Sequence, residues 1–168
     1  MTRMLASKGK VELDLQLPDD LPPLKADPAL FSQALGNLLD NALRFAKSRI
    51  SVRARALSPA RAAAAQKGRP GPALAPAAQM VEFRVSDDGP GIPKERRADV
   101  FAKFVQIDRR PRADGYKGTG LGLAICKESI ERQGGTIWVE GKEGGGASFH
   151  FTLPRHEPGA KHGGDDDE

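Results

Sequence analysis

Alternating hydrophobic and polar positions predict five β-strands in this chain. In the first, at residues 11–17, every second side chain is apolar and its neighbours are polar or charged, as in a strand with one buried face. Comparable patterns predict strands at residues 49–56, 81–86, 136–140 and 147–153. His150 falls on the polar face of the last strand, and we expect it at the surface.

Two longer stretches have the spacing of amphipathic helices. Asp27 and Pro28 favour a helix start, because Asp caps free amides and Pro fits the first turn, and we predict a helix over residues 28–47. Its apolar face consists of Phe31, Leu35, Leu38, Leu39, Ala42 and Ala46. A second helix is predicted over residues 120–133, where two glycines end it. A short apolar run at residues 100–105 has two phenylalanines three positions apart, as on a helical turn.

Three other segments lack both patterns. Residues 57–79 are rich in alanine, proline and basic residues, which predicts a long, mobile hairpin insertion, with a partial helix near its middle as the alternative. Residues 105–117 are largely polar and basic, which predicts a mobile lid between two fixed points. The polar residues 155–168, with their acidic end, predict a disordered tail.

Length and composition indicate one domain. The chain has 168 residues, with 39% hydrophobic and 29% charged side chains. We interpret residues 1–10 as a linker and residues 11–154 as the domain. No apolar run approaches the roughly 18 residues of a membrane helix, and residues 1–10 lack the apolar region of a secretory signal, so we do not expect them to be one. The single cysteine, Cys126, excludes an internal disulfide and suits a reducing compartment, so we expect a cytoplasmic domain, whether or not the intact protein is anchored in a membrane.

The positive net charge of the chain does not by itself indicate a nucleic-acid partner. The net charge is +4, and part of the excess lies at residues 53–69 and 109–117. Aromatic residues make up 5% of the chain, and few are interleaved with these basic positions, where Tyr116 stands alone. The sequence pattern therefore offers little aromatic surface on which bases could stack, and we expect no nucleic-acid partner.

A glycine-rich stretch indicates a phosphate cradle. Gly118, Gly120 and Gly122 alternate with Thr119 and Leu121, and an apolar helix follows. Glycine lets a ligand approach the backbone, and the free amides of a helix start attract anions. The spacing fits neither the P-loop nor the dinucleotide-binding pattern. A plain loop before a helix is the alternative.

Two asparagines on the first predicted helix are candidate ligands. Asn37 and Asn41 are four residues apart, so their side chains are neighbours on one face. An amide oxygen is a hard ligand that suits Mg²⁺, and Arg44 lies close enough to contact the same phosphates. The alternative is that all three side chains simply point to solvent. Lys117, at the end of the lid, can also close over phosphate oxygens, or it is an ordinary solvated charge.

An acidic turn follows the third predicted strand. Asp87 ends the strand, and Gly89 and Gly91 come directly after it. A carboxylate here can accept a hydrogen bond from the exocyclic amine of adenine, while the glycines let the base lie against the backbone. Guanine presents an acceptor at that position, so a carboxylate favours adenine. An ordinary turn is the alternative.

Together these stretches resemble the ATP-binding catalytic domain of sensor histidine kinases. This domain has the Bergerat, or GHKL, fold that is shared with gyrase B, the ATP-dependent heat-shock chaperone and MutL. The resemblance covers roughly residues 11–153, and its four motifs occur in the family's order at residues 37–45, 87–92, 101–104 and 118–125.

The resemblance implies an α+β two-layer sandwich, with helices on one face of a mixed, mostly antiparallel five-stranded sheet. It implies that ATP and Mg²⁺ bind, with Asn41 as the magnesium ligand and Asn37 beside it. Arg44 takes the place of a phosphate contact, and Asp87 that of the adenine-reading acid. Glycine-rich residues 118–122 line the triphosphate, with Gly89, Gly91 and Lys117 completing the nucleotide site.

One departure from the family concerns the phosphoacceptor histidine. The three histidines, His150, His156 and His162, all come late and lie in no such setting. We therefore expect a catalytic module, itself a monomer, that transfers the γ-phosphoryl group of ATP to a histidine on a separate helical-hairpin domain, with a response regulator downstream.

Three alternatives stay open. The first is an ATPase clamp of the gyrase type, but such relatives carry a glutamate where this chain has Asn37, an amide that accepts no proton. The second is a serine kinase that resembles the anti-sigma type. The third is a module that binds nucleotide without transferring phosphate.

Overall fold

The computed structural model describes residues 11–69, 79–106, 119–141 and 145–156, together with the backbone of residues 2–5. The elements in chain order are β1 (Thr2–Leu5), β2 (Glu12–Gln16), α1 (Pro28–Phe45), β3 (Arg49–Leu57), α2 (Pro59–Gln66), β4 (Met80–Asp87), α3 (Gly122–Glu131), β5 (Thr136–Gly141) and β6 (Ala147–Pro154). Two short 3₁₀ helices, Lys94–Arg96 and Asp99–Phe101, lie between β4 and α3. Of the predicted helical turn at residues 100–105, only residues 100 and 101 are helical, as the end of the second 3₁₀ helix.

All six strands form one sheet in the order β1-β2-β3-β4-β6-β5. β2 and β3 are parallel, because helix α1 connects them as a crossover, and the other neighbours are antiparallel. The five predicted strands are confirmed, as is the mixed, mostly antiparallel α+β sandwich. β1 adds an edge strand within residues 1–10, which the hydrophobic pattern does not predict.

Helix α1 begins where the sequence predicts. One carboxylate oxygen of Asp27 accepts hydrogen bonds from the amides of Ala29, at 2.7 Å, and Leu30, at 3.2 Å. The helix ends at Phe45, two residues before its predicted end, because Ala46 has extended dihedral angles, with φ −57° and ψ 141°. The chain therefore turns early towards β3.

Helices α1 and α3 cover one face of the sheet and bury the main core. Phe31 of α1 packs edge to face against Phe83, with ring centroids 5.2 Å apart, and Phe83 stacks on Phe151 at 5.0 Å. In α3, Cys126 and Ile130 are fully buried, and the Cys126 thiol donates to the carbonyl oxygen of Ala34. This packing fixes α1 and α3 side by side over the central strands.

Helix α2 lies against the opposite face of the sheet. Leu57 and Met80 are register partners on β3 and β4, and they form a small buried cluster with Ala62 of α2. The described part of the predicted insertion, residues 57–69, therefore contains a helix, as the alternative reading expected. Residues 70–78 lie outside the described residues.

The prediction that His150 lies at the surface is wrong. His150 is 6% exposed, its Nδ1 lies 2.8 Å from Oε1 of Glu82, and its ring stacks on Trp138 with centroids 5.1 Å apart. Alternation along β6 correctly separates its two faces. The alternation does not show, however, that other parts of the chain cover the polar face of β6.

The end of the sheet is closed by residues from the predicted tail. Arg155 forms a β-bridge with Leu24, and the amide of His156 donates to the carbonyl oxygen of Pro23 at 2.8 Å. Residues 157–168 of the predicted tail lie outside the described residues. Within the described part of the chain, no helix has the length and hydropathy that crossing a bilayer requires.

Candidate functional site

A cavity of about 340 Å³ opens between helix α1, the end of β4 and the start of α3. This volume lies within the range of small-molecule sites, about 300–1,000 Å³. Eight of the residues singled out from the sequence line it together: Asn37, Asn41, Arg44, Asp87, Gly91, Thr119, Gly120 and Gly122. Gly89 and Leu121 are adjacent in the chain to lining residues, and Lys117 and Gly118 lie outside the described residues.

One face of α1 forms a polar wall of the cavity. Asn37, Asn41 and Arg44 lie three or four positions apart, so the helix projects them in the same direction. Asp40 also lines the cavity, and the sequence analysis missed it, although it directly precedes Asn41. The same helix buries Leu38 and Ala42 in the core, which holds this polar face in place.

Asp87 stands at the end of β4, facing the cavity. Its Oδ1 accepts a hydrogen bond from the amide of Gly89 at 2.8 Å and a longer one from Ala147 at 3.5 Å. Burial raises the pKa of the Asp87 carboxyl, and these two amides oppose that rise only in part. Both of these hydrogen bonds are to Oδ1, and a half-buried carboxylate at this position can accept a further hydrogen bond from a ligand in the cavity.

The two glycines after Asp87 are each required by the structure, for different reasons. A Cβ at Gly89 would collide with the carbonyl oxygen of Phe45, the last residue of α1, and would lie 2.7 Å from Oδ1 of Asp87. Gly91 has φ 78°, in the left-handed region that glycine adopts without strain. Both positions therefore require glycine for the turn to pass beneath α1.

The start of α3 forms the opposite rim of the cavity. Gly120 has φ 70°, its carbonyl oxygen accepts from the amide of Phe104 at 2.9 Å, and an added Cβ would lie 2.9 Å from the Phe104 backbone. Gly122 is the first residue of α3, and among the described residues no side chain caps this helix. Its first amides are therefore available to an anion at the cavity.

An apolar wall completes the cavity. Ile92, Val100 and Phe149 line it and are each at most 8% exposed. Val105, Gln106 and Ala147 line it as well. Ala147 and Phe149 were not predicted to line the site, because a strand pattern shows that they face the core and not which part of the core they border.

The polar residues of the cavity suit a divalent cation that is shared with a ligand. Asn37, Asn41 and Asp40 offer amide and carboxylate oxygens, which are the ligands that Mg²⁺ prefers. The described residues contain no group of three histidine, cysteine or acidic side chains that could hold a metal ion. The protein groups therefore fit a Mg²⁺ ion that takes its remaining ligands from phosphate and water.

Fold and cavity define the class of protein: an α+β domain whose mixed sheet carries α1 and α3 on one face, with a ligand-sized cavity beside them. The chain matches the family described as histidine kinase-, DNA gyrase B- and HSP90-like ATPases over residues 26–157. It belongs to this family.

The most similar curated relatives include two cyanobacterial proteins. Both are named adaptive-response sensory kinase SasA. The one from Synechocystis sp. (strain PCC 6803) is 34% identical over 148 residues, which make up 88% of this chain and 33% of the relative. The one from Nostoc sp. (strain PCC 7120) is 37% identical over 152 residues, which make up 90% of this chain and 32% of the relative. The chain thus spans about a third of the length of these relatives.

Solved structures of histidine kinases have the same fold. Full-length ShkA in complex with AMPPNP superposes with a TM-score of 0.66 at 29% identity, covering 88% of this chain and 26% of that one. The catalytic domain of the histidine kinase ThkA gives a TM-score of 0.60 at 28% identity, covering 85% of this chain and 79% of that one.

Proposed function

We propose that this chain is the catalytic module of a sensor histidine kinase. It binds ATP with Mg²⁺ and transfers the γ-phosphoryl group to a histidine on a separate helical-hairpin domain, and a response regulator then receives the phosphoryl group. The observation that carries the proposal is that Asp87, Asn41 and Gly120 line a single cavity. The family and the relatives named as sensory kinases support the same activity.

Adenine is assigned to the end of the cavity at Asp87. The carboxylate accepts a hydrogen bond from the exocyclic amine, and the turn through Gly89 and Gly91 lets the ring lie against the backbone. Ile92, Val100 and Phe149 provide the apolar surface on which a flat base packs. This combination of one charged acceptor and apolar walls selects adenine over guanine.

The triphosphate is assigned to the end between α1 and α3. The free amides at the start of α3, Thr119 and Gly120 bind phosphate oxygens, and Arg44 supplies a fixed positive charge. Asn41, with Asn37 beside it, holds Mg²⁺ through amide oxygens. The ion, when bound, neutralises part of the phosphate charge. Lys117 and Gly118 belong to the same proposed site.

The transfer itself requires mainly positioning. A nitrogen of the acceptor histidine forms the new bond to the γ-phosphorus, the bond from that phosphorus to the β-bridging oxygen breaks, and ADP leaves with the electron pair. The attacking nitrogen has its own lone pair, so this domain need only align the phosphate and stabilise its charge. Arg44 and the amides at the start of α3 serve this role.

The test supplies an acceptor in trans. The chain is mixed with a helical-hairpin domain that carries a phosphoacceptor histidine and with ATP labelled at the γ-phosphate. We expect label on the hairpin that acid removes and base does not, which is the behaviour of phosphohistidine. Asn41→Ala should reduce both this label and the Mg²⁺-dependent part of ATP binding.

Other results identify the alternatives. Acid-stable label on a hydroxyl side chain would indicate a serine kinase, and rapid release of free phosphate without an acceptor would indicate an ATPase clamp. ATP binding without transfer to any histidine acceptor would leave a nucleotide-binding module.

A further inference from the structure

We infer that Asp88 is a positioning residue that fixes the phosphate-binding helix α1 to the adenine-binding end of β4. The inference rests on the proposed function and adds a residue whose side chain does not line the cavity. It concerns the relative position of the two halves of the site, one on α1 and one at the end of β4. The residues that connect them are about 40 positions apart in sequence.

The carboxylate of Asp88 receives an unusually complete set of hydrogen bonds. Oδ1 accepts from the amides of Lys47, at 2.8 Å, and Ser48, at 3.0 Å. Oδ2 accepts from the hydroxyl of Ser48 at 2.6 Å and from its amide at 3.1 Å. All of these donors belong to the turn between α1 and β3. The side chain directly after β4 therefore holds the turn at which α1 ends.

The charge of this carboxylate is strongly favoured. Desolvation alone would raise the pKa of Asp88, but the hydrogen bonds from Ser48, Arg49 and Lys47 outweigh it and hold the pKa well below its usual range. Asp88 therefore stays ionised at any pH at which the domain functions, and its hydrogen bonds are charge-assisted.

The backbone around Asp88 ties the same two segments together. The amide of Asp88 donates to the carbonyl oxygen of Arg49 at 3.2 Å. The next residue, Gly89, passes so close to the carbonyl oxygen of Phe45 that no Cβ fits. Gly89 in turn donates to Asp87. The adenine-reading acid and the last turn of α1 are thus connected through residues 87–89.

The consequence for the site is geometric. Asn41 and Arg44 lie within the last two turns of α1, so a shift of the helix exit moves them relative to Asp87. The proposed adenine contacts come from Asp87 and its turn and from the apolar wall of Ile92, Val100 and Phe149, and not from α1. Phosphate and Mg²⁺ contacts require in addition that α1 is correctly positioned relative to β4. Loss of the Asp88 carboxylate should therefore weaken binding of the triphosphate more than binding of the nucleoside.

The chain offers a matched control on the same helix. Asp27 caps the other end of α1 by accepting from two backbone amides, and it lies outside the cavity. Asp88→Ala and Asp27→Ala each remove one carboxylate that holds an end of α1. Both should lower the melting temperature. Only Asp88→Ala should change the affinity of the site for MgATP relative to adenosine.

The experiment measures the affinity of the folded chain for MgATP and for adenosine by calorimetry. We expect Asp88→Ala to weaken MgATP binding about tenfold and adenosine binding less than twofold, with Asp27→Ala leaving both unchanged. Asp88→Asn, which keeps an acceptor oxygen, should recover part of the MgATP affinity. Asp88→Ala should also be introduced into the Asn41→Ala variant. There it should reduce the MgATP affinity much less than it does in the parent, because the contact that it positions is already lost.

Equal loss of MgATP and adenosine affinity in Asp88→Ala, or no loss, would overturn the inference while the proposed function stands. If Asp88→Ala does not fold, Ser48→Ala provides the same measurement, because it removes only the 2.6 Å hydrogen bond. A parent chain that binds no MgATP would overturn the proposed function, and the inference with it.

Discussion

The guanidinium group of Arg69 lies over the indole ring of Trp138, with its central carbon 4.4 Å from the ring centroid. Arg69 also lies 3.3 Å from Oε1 of Glu140 and donates to the carbonyl oxygen of Ala65. The ring of Trp138 is also stacked with the ring of His150. The segment that follows α2 is therefore fixed to the outer face of the sheet.

Replacing Arg69 with alanine should loosen this segment. We expect the free energy of unfolding to fall by about 1–2 kcal/mol, because a cation–π contact and an ion pair are lost together. Trp138 is the single tryptophan, so its fluorescence should shift to longer wavelength as water reaches the ring. Arg61→Ala on the exposed side of α2 is the control and should change neither quantity. An unshifted emission spectrum in Arg69→Ala would contradict this account.

Glu82 should contribute to stability in a pH-dependent way. Desolvation opposes the charge of Glu82, but hydrogen bonds from His150 and Arg55 outweigh it, so its pKa is lowered. A lowered pKa in the folded state stabilises the fold above the unfolded value, about 4.3, and this stabilisation is lost as the pH falls through the folded value. We expect Glu82→Gln to be less stable than the parent at pH 7 and to lose less stability on acidification.

Denaturant unfolding over a pH series measures this difference. Glu128→Gln is the matched control, since Glu128 forms a 4.0 Å pair with Arg132 in which both side chains are largely exposed. The control should follow the parent. Parallel pH curves for the parent and Glu82→Gln would show that the buried pair with His150 does not act as described.

Asp87→Asn should remove the preference for adenine. The asparagine amide has no charge, and its NH₂ group can donate to the acceptor that guanine presents, so we expect a loss of about 1–3 kcal/mol in the discrimination of ATP from GTP. Burial raises the pKa of Asp87, and the ionised form is the acceptor, so the ATP affinity of the parent should fall as the pH drops through that raised pKa. The ratio of parent to variant affinity, measured by calorimetry at several pH values, isolates this effect from the titration of ATP. A constant ratio would contradict the assignment.

Two glycines near the site should respond in opposite directions to alanine. Gly36 lies within α1 and an added Cβ would meet no atom within 4 Å, so Gly36→Ala should stabilise the domain by about 0.5–1 kcal/mol through helix propensity. Gly89→Ala places a Cβ against the backbone of Phe45, and we expect a loss of about 1–3 kcal/mol and weaker nucleotide binding. Thermal unfolding of both variants checks this pair. Equal effects would show that the close approach at Gly89 relaxes freely.

Much of the fold was predictable because it depends on local patterns. The alternation in β3 and β4, and the cap at Asp27, each concern residues within a few positions of one another, and the structure has them as predicted. The four-residue strand β1 was missed, because so short a segment at a sheet edge has no periodicity of its own. The roles of individual site residues stay predictions until the binding experiments test them.

The sequence by itself determined five of the strands and the two long helices, the polar face of α1 and the glycine turns, since these follow from side-chain spacing along one segment. Only the tertiary structure decided what covers each face. It buries His150 beneath Trp138 and places Phe149 in the cavity wall, and it brings Asp88 to the turn after α1. These relationships join residues far apart in the chain, and they depend on which elements pack together rather than on the periodicity of any one of them.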